Sequence, residues 1–178
     1  MIIRAAATAD AEALAGIYGH DVLHGTGTFE ERPPSAEEMA RRLAAVLAHG
    51  LPWVVAEAQG EVLAYAYAGP YRLRSAYRYT AEDSVYVAPQ ARGRGLGRAA
   101  LAAVIDRCEA MGLRRLVGIV GDSQNAASIA LHRALGFEAT GLLPAVGYKH
   151  GRWLDVVMMH RPLNDGSDAP PGKGGLRL

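Results

Sequence analysis

The chain has a single cysteine, Cys108, in 178 residues. One cysteine can neither form an internal disulfide nor build a cysteine-based metal site. Net charge is nearly absent: 19 Lys and Arg stand against 18 Asp and Glu, formally +1. Binding of nucleic acid by bulk charge is therefore not expected. Long apolar runs are missing too. No stretch approaches the roughly 18 uninterrupted apolar residues of a membrane span, so no membrane partner is expected. The start, Met1-Ile-Ile-Arg4, lacks a basic segment followed by an apolar core and a cleavage site. It does not read as a signal peptide, and the expected setting is cytoplasmic. His20, His24 and His49 do not fall at metal-ligand spacing, and no internal repeat is visible. What remains is an ordinary globular composition, 50% hydrophobic and 21% charged. Its length suits one domain with a substantial core.

Taken in order, Ile2-Ile-Arg4 reads as a first strand. Thr8 is a candidate N-cap for a helix from Ala9 to about Val22, with Asp10 and Glu12 where the helix dipole favours acids. Ser35 and Glu38 form a capping box after Pro33-Pro34, starting a second helix that ends near Gly50. Trp53–Ala58 and Glu61–Ala68, joined by Gln59-Gly60, read as a β-hairpin. The loop from Tyr71 to Tyr79 is rich in Arg and Tyr. Val85-Tyr86-Val87 alternates like a strand, and Pro89 stops it. Leu101, Val104, Ile105 and Cys108 then mark one face of a helix from Leu96 to Met111. Arg115–Val120 is apolar enough to be a central strand. Ser123 or Asn125 caps a further helix that ends at Leu135, with Gly136 just beyond it. Phe137–Leu143 and Trp153–Met159 read as two last strands. The polar, Gly/Pro-rich residues 164–178 are expected to form a flexible C-terminal tail behind a domain spanning 1–163. The order β-α-α-β-β-β-α-β-α-β-β predicts an α/β (α+β) fold, a mixed seven-stranded sheet with helices on both faces.

The segment Asp83–Arg98 carries the chemistry. A strand, a loop with Gly93, Gly95 and Gly97, and a helix start together form a place for phosphate. A Walker-type loop would need Gly-Lys-Ser/Thr, but here Gly97 is followed by Arg98-Ala99. A dinucleotide fingerprint would need Gly-x-Gly-x-x-Gly early in the chain, and Gly93-Arg-Gly-Leu-Gly97 has other spacing and comes late. Arg92-Gly-Arg-Gly-Leu-Gly97 matches the Gln/Arg-x-x-Gly-x-Gly/Ala pattern of the GNAT superfamily of N-acetyltransferases. The later Leu131-His-Arg-Ala-Leu-Gly-Phe137 is similar to that family's closing helix. Within the superfamily the chain resembles the phosphinothricin and methionine sulfoximine acetyltransferases. The matching residues include Thr28-Phe29, Trp53-Val-Val-Ala-Glu57, Thr80-Ala-Glu82 and Gly147-Tyr-Lys-His-Gly151. Arg72 departs from some members, which carry Lys there.

The resemblance implies acetyl-CoA as co-substrate and no metal. The amides of Arg92, Gly93, Arg94, Gly95, Leu96, Gly97 and Arg98 would take the pyrophosphate. The strand Val85, Tyr86, Val87 would pair with the pantetheine arm, and the Val87 N–H would polarise the thioester carbonyl. Asn125 would bond the same arm; its other reading is a helix cap. Glu82, just before the strand, is the candidate base, since an ammonium must lose a proton before it attacks. The bland reading of Glu82 is a solvated surface acid. His132 is a second catalytic candidate, as base or as acid to sulfur, against a packing histidine. Arg72, Arg74 and Tyr77 would hold an acceptor's carboxylate or phosphinate, and Phe29 would wall its side-chain pocket. Cys108 is expected to be buried packing; Trp53 and Trp153, core or interface. A homodimer is implied by the resemblance. Other acceptors, a protein N-terminus or a polyamine, and a non-catalytic acyl-CoA-binding module are the alternatives.

Overall fold

The computed structural model describes residues 1–172 and 174–178. Its elements are β1 (Ile2–Ala5), α1 (Ala11–His24), α2 (Ala36–Ala48), β2 (Trp53–Ala58), β3 (Glu61–Pro70), β4 (Thr80–Val87), α3 (Leu96–Ala110), β5 (Arg115–Gly121), α4 (Ala126–Ala134), β6 (Glu138–Lys149) and β7 (Arg152–Pro162). The strands form one seven-stranded sheet in the order β1-β2-β3-β4-β5-β7-β6. β4 and β5 run parallel; the other neighbours are antiparallel.

Residue chemistry explains most of these boundaries. Ser35 Oγ accepts from the Glu38 N–H, so the expected cap opens α2. Gln59 and Gly60 both take positive φ, 55° and 81°, as a two-residue hairpin turn requires. Alternation gives the sheet two unlike faces. On one, Trp53, Tyr65 and Tyr67 stack, and Tyr86 meets Tyr18 of α1 edge to face at 4.9 Å. On the other, Val85 and Val87 approach Gly97 of α3. Helices therefore cover both faces, α1 and α2 on the aromatic side, α3 on the aliphatic side. Cys108 is fully buried, as expected, and burial pushes its thiol up to about 12.

Several boundaries differ from the sequence reading. Residues Thr8–Asp10 form a 3-10 turn, and α1 begins at Ala11 instead of Ala9. Asp10 explains the shift: its carboxylate takes two hydrogen bonds from Arg4, each 2.8 Å, and one from the Ala7 N–H. β4 begins at Thr80, because β3 continues to Pro70 and pairs back to Ala81. Glu82 thus lies inside the strand, not before it. β6 runs past Pro144 to Lys149, tolerated on an edge strand with register shifts at Ala139/Gly141 and Leu143/Gly147. Trp53 is core, but Trp153 is 63% exposed.

The residues after Leu163 also differ from expectation; of these, Lys173 lies outside the described residues. Instead of standing clear, the segment lies along the domain. Asn164 donates to the Glu109 and Leu113 carbonyls, Arg114 to the Gly166 and Ala169 carbonyls, and Tyr79 to the Gly172 carbonyl. The Leu176 N–H donates to the Arg78 carbonyl at 2.7 Å, and its side chain is buried. One apolar anchor and backbone carbonyls suffice, and average composition does not reveal them.

Candidate active site

The parallel pair β4–β5 is short. Thr80–Asp83 match Arg115–Gly118, and beyond that rung the strands separate. The gap opens a cleft of about 670 Å³ between them, α3 and α4. Backbone parity decides what faces it. The Ala88 N–H donates to Leu63 of β3 at 2.8 Å. Alternate residues of a strand bond to opposite neighbours, so Tyr86 turns its N–H toward β3 while Val85 and Val87 turn theirs into the gap. Among the described residues these donors have no strand partner there.

The loop beyond β4 adds more. Gly93 and Gly95 have φ of 74° and 80°, and a Cβ on either would meet nothing within 4 Å. Glycine is needed here for conformation, not for room. No side chain among the described residues caps α3, whose N-cap is Gly95. The first amides, Leu96, Gly97 and Arg98, therefore lack intrahelical acceptors at the positive end of the dipole. Gly97 is different: a Cβ there would lie 2.8 Å from Val87 Cγ2 and 3.3 Å from Leu131 Cδ1. It lets β4, α3 and α4 converge. Open amides of this kind, lined along a groove, fit a pyrophosphate with an extended amide-bearing arm.

The cleft gathers Val85, Tyr86, Val87, Arg92, Gly93, Gly95, Leu96, Gly97, Arg98, Asn125 and His132. Arg94 is exposed and does not line it. The Arg92 guanidinium is tied to Asp21 of α1 at 2.6 Å. Asn125 does cap α4, its Oδ1 accepting from the Ser128 N–H at 3.2 Å, which leaves its amide N–H₂ for other partners.

Glu82, Phe29, Arg72, Arg74 and Tyr77 lie apart from the cleft lining. Glu82 shares the parity of Tyr86, so it points to the α1–α2 face. Burial raises its pKa, the Arg72 charge lowers it, and Asp83 raises it further; the net shift is upward. Arg72 lies over the Tyr71 ring at 4.4 Å, and Tyr77 meets Tyr71 edge to face at 5.7 Å. Arg74 is exposed at the start of the 3-10 turn Ser75–Tyr77. Phe29 rests against Gly121 and Gly147, where a Cβ would come within 3.1 Å and 2.4 Å of its ring. Lys149 donates to the Thr28 carbonyl at 2.8 Å and His150 to the Gly25 carbonyl at 3.2 Å, so the Gly147–Gly151 segment holds the loop that carries Phe29.

The sequence reading missed Asp83. It lies at the last shared rung of β4 and β5, is buried, and bonds His132 Nε2 at 3.0 Å. A signal was available. Ala81, Val85 and Val87 mark an inward parity, and an acid at the remaining inward position must find a partner.

A sheet split at a parallel pair, with open amides at the head of the split, fits a transferase that draws an acyl group from a phosphate-bearing carrier. The sequence family described as the acetyltransferase (GNAT) family matches residues 20–137. A phosphinothricin N-acetyltransferase of Alcaligenes faecalis is 54% identical over 91% of this chain and 82% of its own length. An L-methionine sulfoximine/L-methionine sulfone acetyltransferase of Salmonella typhimurium is 41% identical over 93% of this chain and 96% of its own. The crystal structure of a phosphinothricin acetyltransferase from Sinorhizobium meliloti in complex with acetyl-CoA superposes with a TM-score of 0.94. It is 46% identical over 98% of this chain and 94% of that one. The chain belongs to the GNAT acetyltransferase family, and it is an N-acetyltransferase.

Proposed function

We propose that the protein transfers the acetyl group of acetyl-CoA to the α-amine of a small amino-acid analogue such as methionine sulfoximine, methionine sulfone or phosphinothricin. Transfer is direct, amine onto thioester, with both substrates bound. The observation that carries this reading is the placement of two groups of residues on either side of the split sheet. Open amides of Val85, Val87 and the Gly93–Arg98 turn line the cleft. Glu82, beside Arg72, faces the other side. The relatives named above support the acceptor class.

In this reading the loop amides hold the pyrophosphate, and the Val85–Val87 edge takes the pantetheine arm as a strand would. The Val87 N–H meets charge developing on the thioester oxygen; such a preorganised donor contributes about 3 kcal/mol. Arg72, Arg74 and Tyr77 hold the acceptor's carboxylate or phosphinate, and Phe29 walls its side chain. Glu82 takes the amine proton, directly or through water; its raised pKa brings it closer to an effective base than an ordinary carboxylate. The test is thiol release from acetyl-CoA with methionine sulfoximine, comparing wild type with Glu82→Gln. A loss of about 100-fold or more in kcat is expected. Equal rates would remove Glu82 as base, and no turnover on any amino-acid analogue would sink the acceptor class.

The same reading includes a homodimer through β6 and β7. Leu142, Leu143, Val146, Tyr148 and Trp153 are 47–63% exposed on this edge. An uncovered apolar edge strand favours a second copy. Light scattering on Trp153→Glu checks it: wild type as dimer and variant as monomer is expected, and a monomeric wild type refutes it.

A further inference from the structure

Asp83 stands on β4 opposite Gly118 of β5, with its side chain fully buried. Oδ2 lies 3.0 Å from His132 Nε2. The other ring nitrogen, Nδ1, lies 2.8 Å from the Ser128 carbonyl oxygen, one turn back along α4. A carbonyl oxygen can only accept, so Nδ1 carries a proton. A carboxylate oxygen also only accepts, unless it is itself protonated. The Nε2–Oδ2 contact therefore holds a second proton, on one atom or the other. A neutral ring facing an ionised carboxylate would set two lone pairs against each other. The pair thus holds two protons, one between Nε2 and Oδ2 and one between Nδ1 and the Ser128 carbonyl, and is not a vacant acceptor.

We infer that Asp83 is a positioning residue that keeps His132 loaded with this proton, so that His132 serves as the acid toward the departing sulfur. This rests on the acetyltransferase reading and divides its chemistry between the two faces of β4. The amine nitrogen forms the N–C bond with the acyl carbon, and its proton goes to Glu82 on the α1–α2 face. The C–S bond breaks, and the sulfur leaves with the electron pair and takes the proton of His132 on the α3–α4 face. Glu82 passes two protons to water in turn, one from the ammonium before attack and one from the nitrogen after it, and His132 recovers one, so one proton is released per ammonium consumed. Glu82 and Asp83 are adjacent in sequence, yet strand alternation sends them to opposite sides.

The surroundings agree. Burial works against a charged His132, but the hydrogen bond and charge of Asp83, with the Ser128 carbonyl, outweigh it and the net shift is upward. From α3 the titratable neighbour is Cys108, neutral because burial pushes it up to about 12. Across Gly118, β7 presents uncharged Met159, and Arg133, next on α4, is exposed. Glu82 faces away. Phe137 meets the imidazole edge to face at 5.0 Å and fixes its plane. Gly118 gives the ring its room: a Cβ there would lie 3.1 Å from Nε2 and 3.4 Å from Asp83 Oδ1.

The experiment follows the His132 imidazole by heteronuclear NMR titration of the ligand-free protein, together with the pH dependence of kcat, in wild type, Asp83→Asn and Gly118→Ala. Asn can donate to Nε2, so a neutral ring is satisfied in Asp83→Asn. The expected result is a His132 midpoint above about 6.5 in wild type and below it in Asp83→Asn. The high-pH limb of kcat should move down by the same amount, with kcat reduced about 100-fold and KM for acetyl-CoA unchanged. Gly118→Ala, which wedges the ring from Asp83 and leaves both groups in place, should shift the midpoint in the same direction. Its result stands if Asp83→Asn does not fold. An unmoved midpoint in the folded variants, or a moved midpoint with an unmoved kcat limb, overturns the inference. The midpoint needs no substrate, so it decides the pairing even where the wild type shows no acetyl transfer; that outcome would defeat the parent reading and the acid role with it.

Discussion

Gly97→Ala is expected to destabilise this protein, although the same change in most helices stabilises. Gly97 is the second residue of α3, where alanine should gain at most about 1 kcal/mol from helix propensity. Against this, the added Cβ would lie 2.8 Å from Val87 Cγ2, 3.3 Å from Leu131 Cδ1 and 3.5 Å from Val85 Cγ2. Ordinary carbon contacts lie at about 3.5–4.0 Å, so Val87 must retreat by close to 1 Å. Its methyl sits on a stiff β-branched side chain of a strand paired with β3. Overpacking of this kind costs about 1–3 kcal/mol. The balance is a net loss of about 1 kcal/mol, read from the urea midpoint at constant m. Val87 can escape part of the clash by rotating into the cleft it lines, and then KM for acetyl-CoA rises instead. A variant that is more stable than wild type with an unchanged KM refutes the reasoning.

Other outcomes follow from single contacts. Asn125→Ala should lose about 1 kcal/mol with its cap. Asn125→Asp keeps an acceptor for Ser128 and should keep stability while raising KM for acetyl-CoA; equal KM values would leave Asn125 a cap and nothing more. Cys108 should resist a disulfide exchange reagent in the native protein and react on unfolding, because burial shields it and holds it as a thiol. Rapid native labelling would contradict that packing. Arg4→Ala should cost about 1 kcal/mol at neutral pH, discounted for partial exposure. The Arg4 hydrogen bonds lower the Asp10 pKa against burial, so this stability is present above the unfolded value near 4 and is lost as pH falls through the folded one. Urea midpoints of the two proteins should therefore converge in acid.

Features legible in the sequence are those decided by neighbours along the chain. The Ser35 cap, the Gln59-Gly60 turn, the buried face of α3 and the glycine turn before α3 each depend on a few adjacent residues. Those misread depend on contacts between elements, near or far along the chain. The start of α1 is set by Arg4 reaching Asp10, and the extent of β4 by how far β3 runs. The path of the last residues is set by Leu176, Arg114 and Tyr79. Arg4 lies only six residues from Asp10, yet nothing in the spacing marks the pair, while Arg114 reaches Gly166 across 52 residues and Tyr79 reaches Gly172 across 93.

Asp83 sharpens the point, because its partner is 49 residues away and its parity is local. Glu82 invites attention as an acid beside an apolar strand, and the same view treats Asp83 as more of the same polar stretch. Placing Thr80–Val87 in one strand changes that, since alternation must then divide the two acids. One belongs with Tyr86 under α1, the other with Val85 and Val87 beside α3 and α4. The parallel pairing to β5 ends at Asp83, so both carboxylates stand where the sheet opens, one on each side. A reaction that removes a proton from one atom and delivers one to another gains from this arrangement. The Asp83 charge still raises the Glu82 pKa across the strand, but the two side chains do not share one set of partners. On opposite faces, Asp83 has His132 Nε2 at 3.0 Å and Glu82 has the Arg72 charge, so the two acids answer to different partners in one site.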